Sequence, residues 1–352
     1  MRKCIVLDLD NTLWGGIVGE DGINGIQLDI NPPGSGFIAF QQAILDLHNR
    51  GVILAINSKN NFNDAIKVIR EHPNMVLKEN NFAAMRINWQ DKAQNMRELA
   101  KELNIGTDSF VFLDDDSINR SLVKAVLPEV EVPDLPLNPE QYAKFLMDLP
   151  YFDATVITDE DKMRGNLYVT ERLRKEAEGR SANKKEFLID LNIEVRCYMD
   201  DPSCISRLAQ LTEKTNQFNM NKIPFTEKEI ADFILDKNYK VFYGQARDKF
   251  GDYGVIAFAL IKKDDDKNWT IESLLTSCRA LGRGIEEAFV DKIVEKAGGA
   301  SIEDVSLNFK ETEKNQPAKE FYEKYFDKKT GNVLGQKLKE NSKHVNAYFP
   351  SL

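Results

Sequence analysis

Asp8 and Asp10 stand two residues apart at the end of the apolar run in "CIVLDLDNTLWGG", residues 4–16. Like charges this close cost free energy unless a cation or a reacting group offsets them. A carboxylate at a strand end can attack phosphorus and form an acyl phosphate. An acid two residues on can protonate the leaving oxygen and later take a proton from water. Moving an anionic phosphoryl group also needs positive charge, which a Mg²⁺ ion held by a few carboxylates and several waters supplies. Asp8, the backbone carbonyl of Asp10, and either Asp114 or Asp115 form the candidate ligand set, with Asp114 favoured as the first residue past its strand. Ser58 is placed to hydrogen-bond a phosphoryl oxygen. Lys92, just inside a helix start, is placed to pair with the nucleophile and the phosphate; Lys59 is its rival, and a solvated helix position is the plain alternative for Lys92. Asp116 reads as a solvated turn or helix N-cap acid.

The elements that must position these groups are an alternation of apolar runs and amphipathic stretches. The runs are 4–9, 52–56, 82–87 and 110–113, with a weaker one at 130–132. Between them Phe37, Phe40, Ile44 and Leu47 share one helical face, as do Met96, Leu99 and Leu103, with Gly106 as a stop. Such alternation predicts a parallel sheet covered by helices, whose ligands bind beyond the carboxyl ends of the strands. Asp8, Asp10, Ser58 and residues 114–116 all fall at such ends. The gap between Asp10 and Ser58 has room for a Gly-rich flap and one helix, hence a minimal cap.

The 352 residues allow one to three domains. The balance of 47 basic against 56 acidic side chains, spread along the chain, lacks the basic stripe of a nucleic-acid or anionic-membrane binder. No apolar run approaches a membrane span and no signal peptide precedes the first strand. Cys4, Cys197, Cys204 and Cys278 show no CxxC spacing, which argues against a disulfide framework or a zinc site. These features predict a soluble, cytoplasmic protein; they are silent on oligomeric state. Met1 lies almost on the first strand, so either the strand begins the native protein or an upstream domain has been removed. The four prolines of 133–151 predict a boundary, giving a first domain over 1–150, a helical linker over 151–190 and a second domain over 191–352. The second domain has a different order: a strand at 193–199, a helix over 201–218, an antiparallel meander from 240 with its third turn at 262–268, a helix from Gly284, a strand near Val305, a helix near 317–325 and a last strand near Val345.

The ordered set D-x-D-N-T at 8–12, Ser58 after an apolar run, Lys92, and Asp114-Asp115 after another resembles the haloacid dehalogenase (HAD) superfamily of phosphatases. That resemblance implies a Rossmann-like sheet with Asp8 as nucleophile, Asp10 as general acid and base, and Thr12 in the turn that aims them. Longer stretches resemble the FkbH-like group: "VLDLDNTLWGGIVGEDG", "SKNN" at 58–61, "RLAQLTEKTNQFN" at 207–219 and "SCRALGRGIEEAF" at 277–289. Members of that group load a glyceryl unit from a phosphorylated three-carbon donor onto the phosphopantetheine of an acyl carrier protein, and others act in saccharide or lipid pathways. The group often has Cys before Ser-Lys-Asn, where this chain has Asn57, and D-D-N-P where this chain has Asp114 to Ser117.

Arg279-x-x-Gly282-x-Gly284 lies between a strand and a helix and resembles the coenzyme A diphosphate loop of the GNAT acetyltransferases. Asn315-x-x-Ala318-x-x-Phe321-Tyr322 resembles that fold's late helix, whose Tyr often protonates a leaving thiolate. An α+β GNAT-like second domain follows, with coenzyme A or phosphopantetheine as its implied ligand. Glu272 is a candidate base and Cys278 a candidate acyl carrier, though an exposed strand acid and a small buried strand-end residue are the blander readings. His48, His72 and His344 fit no catalytic arrangement. The leading expectation is a Mg²⁺-dependent phosphatase acting on a phosphorylated small molecule in acyl-carrier or surface-saccharide metabolism. The alternatives are a glyceryl transferase–phosphatase and a non-catalytic carrier-protein docking module.

Overall fold

The computed structural model describes residues 2–152, 159–181, 183–263, 269–298 and 305–350. The chain divides into two compact units, Met1–Lys175 and Glu176–Leu352. The division falls inside the helix Asp159–Arg180.

In the first unit the apolar runs form β1 (Cys4–Leu7), β2 (Ile53–Ser58), β3 (Phe82–Ile87) and β4 (Phe110–Leu113), in the sheet order β3-β2-β1-β4. All pairs are parallel, with Cys4 opposite both Ile53 and Phe110. Every residue of β1, β2 and β4 is buried, as a sheet covered on both faces requires. Alternation divides them between two cores. Ile5, Leu7, Leu54 and Ile56 pack with Phe37, Phe40, Ile44 and Leu47, while Cys4, Val6, Ile53 and Phe112 pack with Met96, Leu99 and Leu103. The connecting helices are α1 (Val18–Asp21), α2 (Gly34–Asn49), α3 (Phe62–Glu71), α4 (Lys92–Leu103), α5 (Ser117–Val126), α6 (Tyr142–Asp148) and α7 (Asp159–Arg180).

Two expectations change here. The run 130–132 is no strand: it makes a single bridge, Val111 to Glu131, and buries Val130 and Val132. The proline-rich stretch packs on the first core, where Leu135, Tyr142 and Leu146 are buried and Tyr142 meets Phe37 edge-on at 5.9 Å. α4 ends at Asn104, in the left-handed region at φ 52°, before Gly106 is reached.

The second unit contains α8 (Lys184–Asp190), β5 (Glu194–Met199), α9 (Ile205–Lys214), α10 (Glu227–Leu235), β6 (Tyr239–Asp248), β7 (Gly251–Lys263), β8 (Trp269–Thr276), α11 (Ile285–Gly298), β9 (Val305–Leu307), α12 (Gln316–Tyr325), α13 (Gly335–Ser342) and β10 (Asn346–Tyr348). The sheet order is β10-β5-β6-β7-β8-β9. Its central pairs are antiparallel, and β10 and β9 join β5 and β8 in parallel. The helix expected over 201–218 is confined to α9. α10, begun by a Thr226–Glu229 capping box, and α13 were not anticipated. The expected turn at 262–268 lies mostly outside the described residues. No helix among the described residues is long and apolar enough to cross a membrane.

Candidate active site

Asp8 follows β1 directly, and its N–H donates to Leu113 of β4 at 3.0 Å. The Lys92 ammonium, on the first turn of α4, lies 2.7 Å from Asp8 Oδ1 and 2.6 Å from Asp114 Oδ2, with 1% of its side chain exposed. Asp114 is fully buried, and its other oxygen accepts the Asp116 N–H at 2.8 Å. Thr12, also fully buried, donates to Asp115 Oδ1 at 3.3 Å and accepts the Asp115 N–H at 3.2 Å. Thr12 therefore aims Asp115 and does not face a substrate arriving from solvent. Arg120 donates to the backbone carbonyls of Asp114 and Asp115 at 2.8 and 2.5 Å and fixes the turn after β4. Asp116 caps α5, accepting the Ile118 N–H at 2.8 Å, as expected of an N-cap acid.

Oxygens of Asp8, Asp114 and Asp115 all lie within 4.8 Å of one another. Burial first, and then repulsion from Asp8 and Asp114, pushes the Asp115 carboxyl up to about 6. Asp114 is also raised, by burial and then by Asp8, against the pull of Lys92. One ammonium among three carboxylates leaves negative charge in excess, and oxygen donors this close are the set a hard divalent cation prefers. The residues present fit Mg²⁺.

Asp10 is held in the flap. Its Oδ1 accepts the Trp14 indole N–H at 2.8 Å and the Val18 N–H at 3.1 Å, and its Oδ2 accepts the Asn60 amide at 2.8 Å. Burial outweighs these donors and raises its pKa. The expected flap is closed by reciprocal backbone bonds between Gly15 and Gln27. Gly16 turns at φ +93°, where a Cβ would come within 2.5 Å of the Asp21 carboxylate, so only glycine serves there.

Ser58 ends β2 and is 1% exposed. Lys59 is exposed on the rim, 3.4 Å from Asn119; Lys92, not Lys59, reaches the carboxylates. Asn57 is fully buried, donates to the Lys92 carbonyl at 2.9 Å and accepts the Asn95 amide at 3.1 Å. Trp14, Asn60, Asn95 and Arg120 were missed from sequence. Only Trp14 and Asn60 carried a local signal, one four residues past Asp10 and the other two past Ser58.

In the second unit Arg279 lies in a 3₁₀ turn, and Gly282 and Gly284 take φ of +76° and +82°. The Gly282 N–H donates to Glu286 Oε1 at 2.7 Å, and Glu286 is 5% exposed. Burial, then Glu287, pushes Glu286 up to about 8. Tyr322 stacks on Phe309 and Phe326 at 5.2 and 5.3 Å. Burial holds the Cys278 thiol above its ordinary value, which disfavours it as a nucleophile. Asn221 bonds the backbone of Glu272. A diphosphate would find the Gly282 N–H already engaged by the Glu286 carboxyl.

Residues 206–327 match the acetyltransferase (GNAT) family. The chain is similar to several solved structures, among them the following two. One is the N-terminal part of the protein BF1531 from Bacteroides fragilis, containing a phosphatase domain complexed with Mg, at 44% identity over 44% of this chain and 42% of that one, TM-score 0.43. The other is a ribosomal-protein-alanine N-acetyltransferase from Brucella melitensis biovar Abortus 2308, at 13% identity over 37% of this chain and 88% of that one, TM-score 0.26. This chain thus spans under half the length of the first. No curated protein matches it. The chain is thus similar in its N-terminal part to a phosphatase-domain structure, and its residues 206–327 match the acetyltransferase (GNAT) family.

Proposed function

We propose that the first unit is a Mg²⁺-dependent phosphatase of the HAD type that works through an aspartyl-phosphate on Asp8. The supporting observation is the cluster of Asp8, Asp114 and Asp115 at the strand ends with the buried Lys92 ammonium between two of them. Asp8, Asp114, Asp115 and the carbonyl of Asp10 would hold the ion. Bound there, Mg²⁺ supplies positive charge to the phosphoryl oxygens. An Asp8 oxygen attacks phosphorus, the bond to the leaving oxygen breaks, and Asp10 delivers its proton to that oxygen. Asp10, now a carboxylate, takes a proton from water as the water attacks the aspartyl-phosphate, which frees phosphate and restores Asp8. Ser58 and Lys92 bind phosphoryl oxygens, and Lys92 holds Asp8 Oδ1 by the ion pair at 2.7 Å.

The finer reading is a phosphorylated small-molecule substrate in acyl-carrier or surface-saccharide metabolism. A short flap between Asp10 and Ser58 in place of a large cap domain would suit a bulky leaving group. Glyceryl transfer onto an acyl carrier protein is disfavoured at position 57, because Asn57 offers no thiol and is locked behind Lys92. Coenzyme A or phosphopantetheine is assigned no step, given the engaged glycine loop. The test is mass spectrometry after rapid quench with an aryl phosphate and Mg²⁺. A phosphoryl mass increase on the peptide holding Asp8 is expected, lost with turnover in Asp8→Asn. Full turnover in Asp8→Asn at equal metal occupancy refutes the reading.

A further inference from the structure

A pantetheine thioester asks two things of a protein. Its extended amide arm needs a strand edge with free backbone groups, and the diphosphate of coenzyme A needs free N–H groups at a glycine loop and helix start. Among the described residues β8 and β9 pair from Trp269 opposite Val305 to Ile271 opposite Leu307. Beyond that the two parallel strands part, and the free edge of β8 would lie open in the fork. Residues 218–220 lie there instead. The Met220 N–H donates to Leu274 at 2.9 Å and the Thr276 N–H donates to Phe218 at 3.1 Å, while across the fork the Lys310 N–H donates to Met220 at 2.9 Å.

We infer that the cofactor cleft of the second unit is filled by the chain's own Phe218–Asn219–Met220 segment and by Glu286, so that this GNAT fold does not take up coenzyme A.

The filling segment is anchored, not draped. Asn219 is fully buried. Its carbonyl accepts the Asn315 amide at 3.0 Å, its side-chain oxygen accepts the Lys222 N–H at 2.7 Å, and its side-chain amide donates to Thr215 at 3.1 Å. Phe218 meets Phe321 of α12 edge-on at 5.1 Å. The glycine loop is closed in the same manner. Glu286 holds the Gly282 N–H, and the Arg283 guanidinium lies over the Tyr253 ring at 5.6 Å. A Cβ on Gly284 would meet the His344 ring at 2.7 Å. The glycine there answers to a packed imidazole, not to an approaching phosphate. Both holds are thus engaged by buried groups of the same chain, at two separate places.

The test uses the full chain in Mg²⁺-free buffer. Calorimetry is expected to find no coenzyme A binding up to about 1 mM. Hydrogen exchange of the ligand-free chain is expected to slow the amides of Gly282, Thr276 and Met220 by about 100-fold or more relative to an unstructured chain. Saturable binding tighter than that limit, or fast exchange at any of the three amides, overturns the inference. Asn315→Ala releases the Asn219 carbonyl and Glu286→Ala frees the Gly282 N–H. The double variant, checked for fold by circular dichroism, is expected to gain coenzyme A binding. A folded double variant that binds none would show that these residues are not what excludes the cofactor.

Discussion

Lys92 and Asp114 meet at 2.6 Å, with 1% and 0% of their side chains exposed. A pair this dry has lost its hydration, and the same ammonium also serves Asp8 at 2.7 Å. Removing the cation strands two buried carboxylates. Lys92→Met is expected to cost the first unit about 3–5 kcal/mol in metal-free urea titrations, and less when Mg²⁺ takes up part of the charge. A variant as stable as the parent without metal would show that Lys92 carries no electrostatic weight.

Metal itself is the next expectation. A ligand that binds only the folded state at a hundredfold excess over its dissociation constant adds about 2.7 kcal/mol. For a domain of this size that is roughly 5–10 °C in melting temperature. Saturating Mg²⁺ should raise the first unit's transition by this amount, EDTA should remove the gain, and Asp115→Asn should shrink it. Equal transitions with Mg²⁺ and EDTA contradict a metal site.

Asp10 is read as the proton donor, and Trp14 as the residue that positions it. Asp10→Asn should therefore slow alkyl phosphates, whose leaving groups need a proton, by about 100-fold or more, and aryl phosphates with acidic phenols far less. Trp14→Phe keeps the ring and loses the 2.8 Å bond, so it should show a weaker form of the same pattern. A uniform loss across leaving groups in either variant removes Asp10 from the acid role.

Glu286 ties the second unit's stability to pH. Its carboxyl is raised from 4.5 to about 8 in the folded state, by burial and then by Glu287. Between those values the folded chain keeps a proton that the unfolded chain has lost. Stability is thus fully present below pH 4.5 and falls by up to about 1.4 kcal/mol per pH unit toward pH 8. Glu286→Gln should flatten this slope and stabilise the second unit at pH 8. Parallel pH profiles of parent and variant in urea titrations would contradict it.

The strand-end carboxylates were legible because a parallel sheet fixes them. Apolar runs locate the strands, and whatever follows each run is delivered to one edge. Lys92 was legible for a related reason: Asp91 caps α4, accepting the Ala93 and Gln94 N–H groups, and so sets where the helix begins. Trp14 was hidden because a buried tryptophan after a strand reads as core. Asn95, and the partners that Asn57 and Asn60 find, were hidden because amide partners far apart in sequence carry no spacing rule. The stretch 207–219 shows the limit most clearly. Its resemblance to a family was visible, yet only the placed backbone reveals that residues 218 and 219 pair with β8. Strand pairing across more than fifty residues leaves no periodic trace.

The order of the strands also bears on how the first unit comes into being. β1 is made before β2, β3 and β4, yet it is flanked in the sheet by β2 and β4. A chain made from its amino end leaves the apolar β1 bare on one side until Phe110–Leu113 has emerged. Only then do Asp114 and Asp115 reach Asp8, so the chemistry cannot be assembled piecemeal. Long-range closure of this kind is slow, and during that interval the half-made sheet is a natural client for a chaperone.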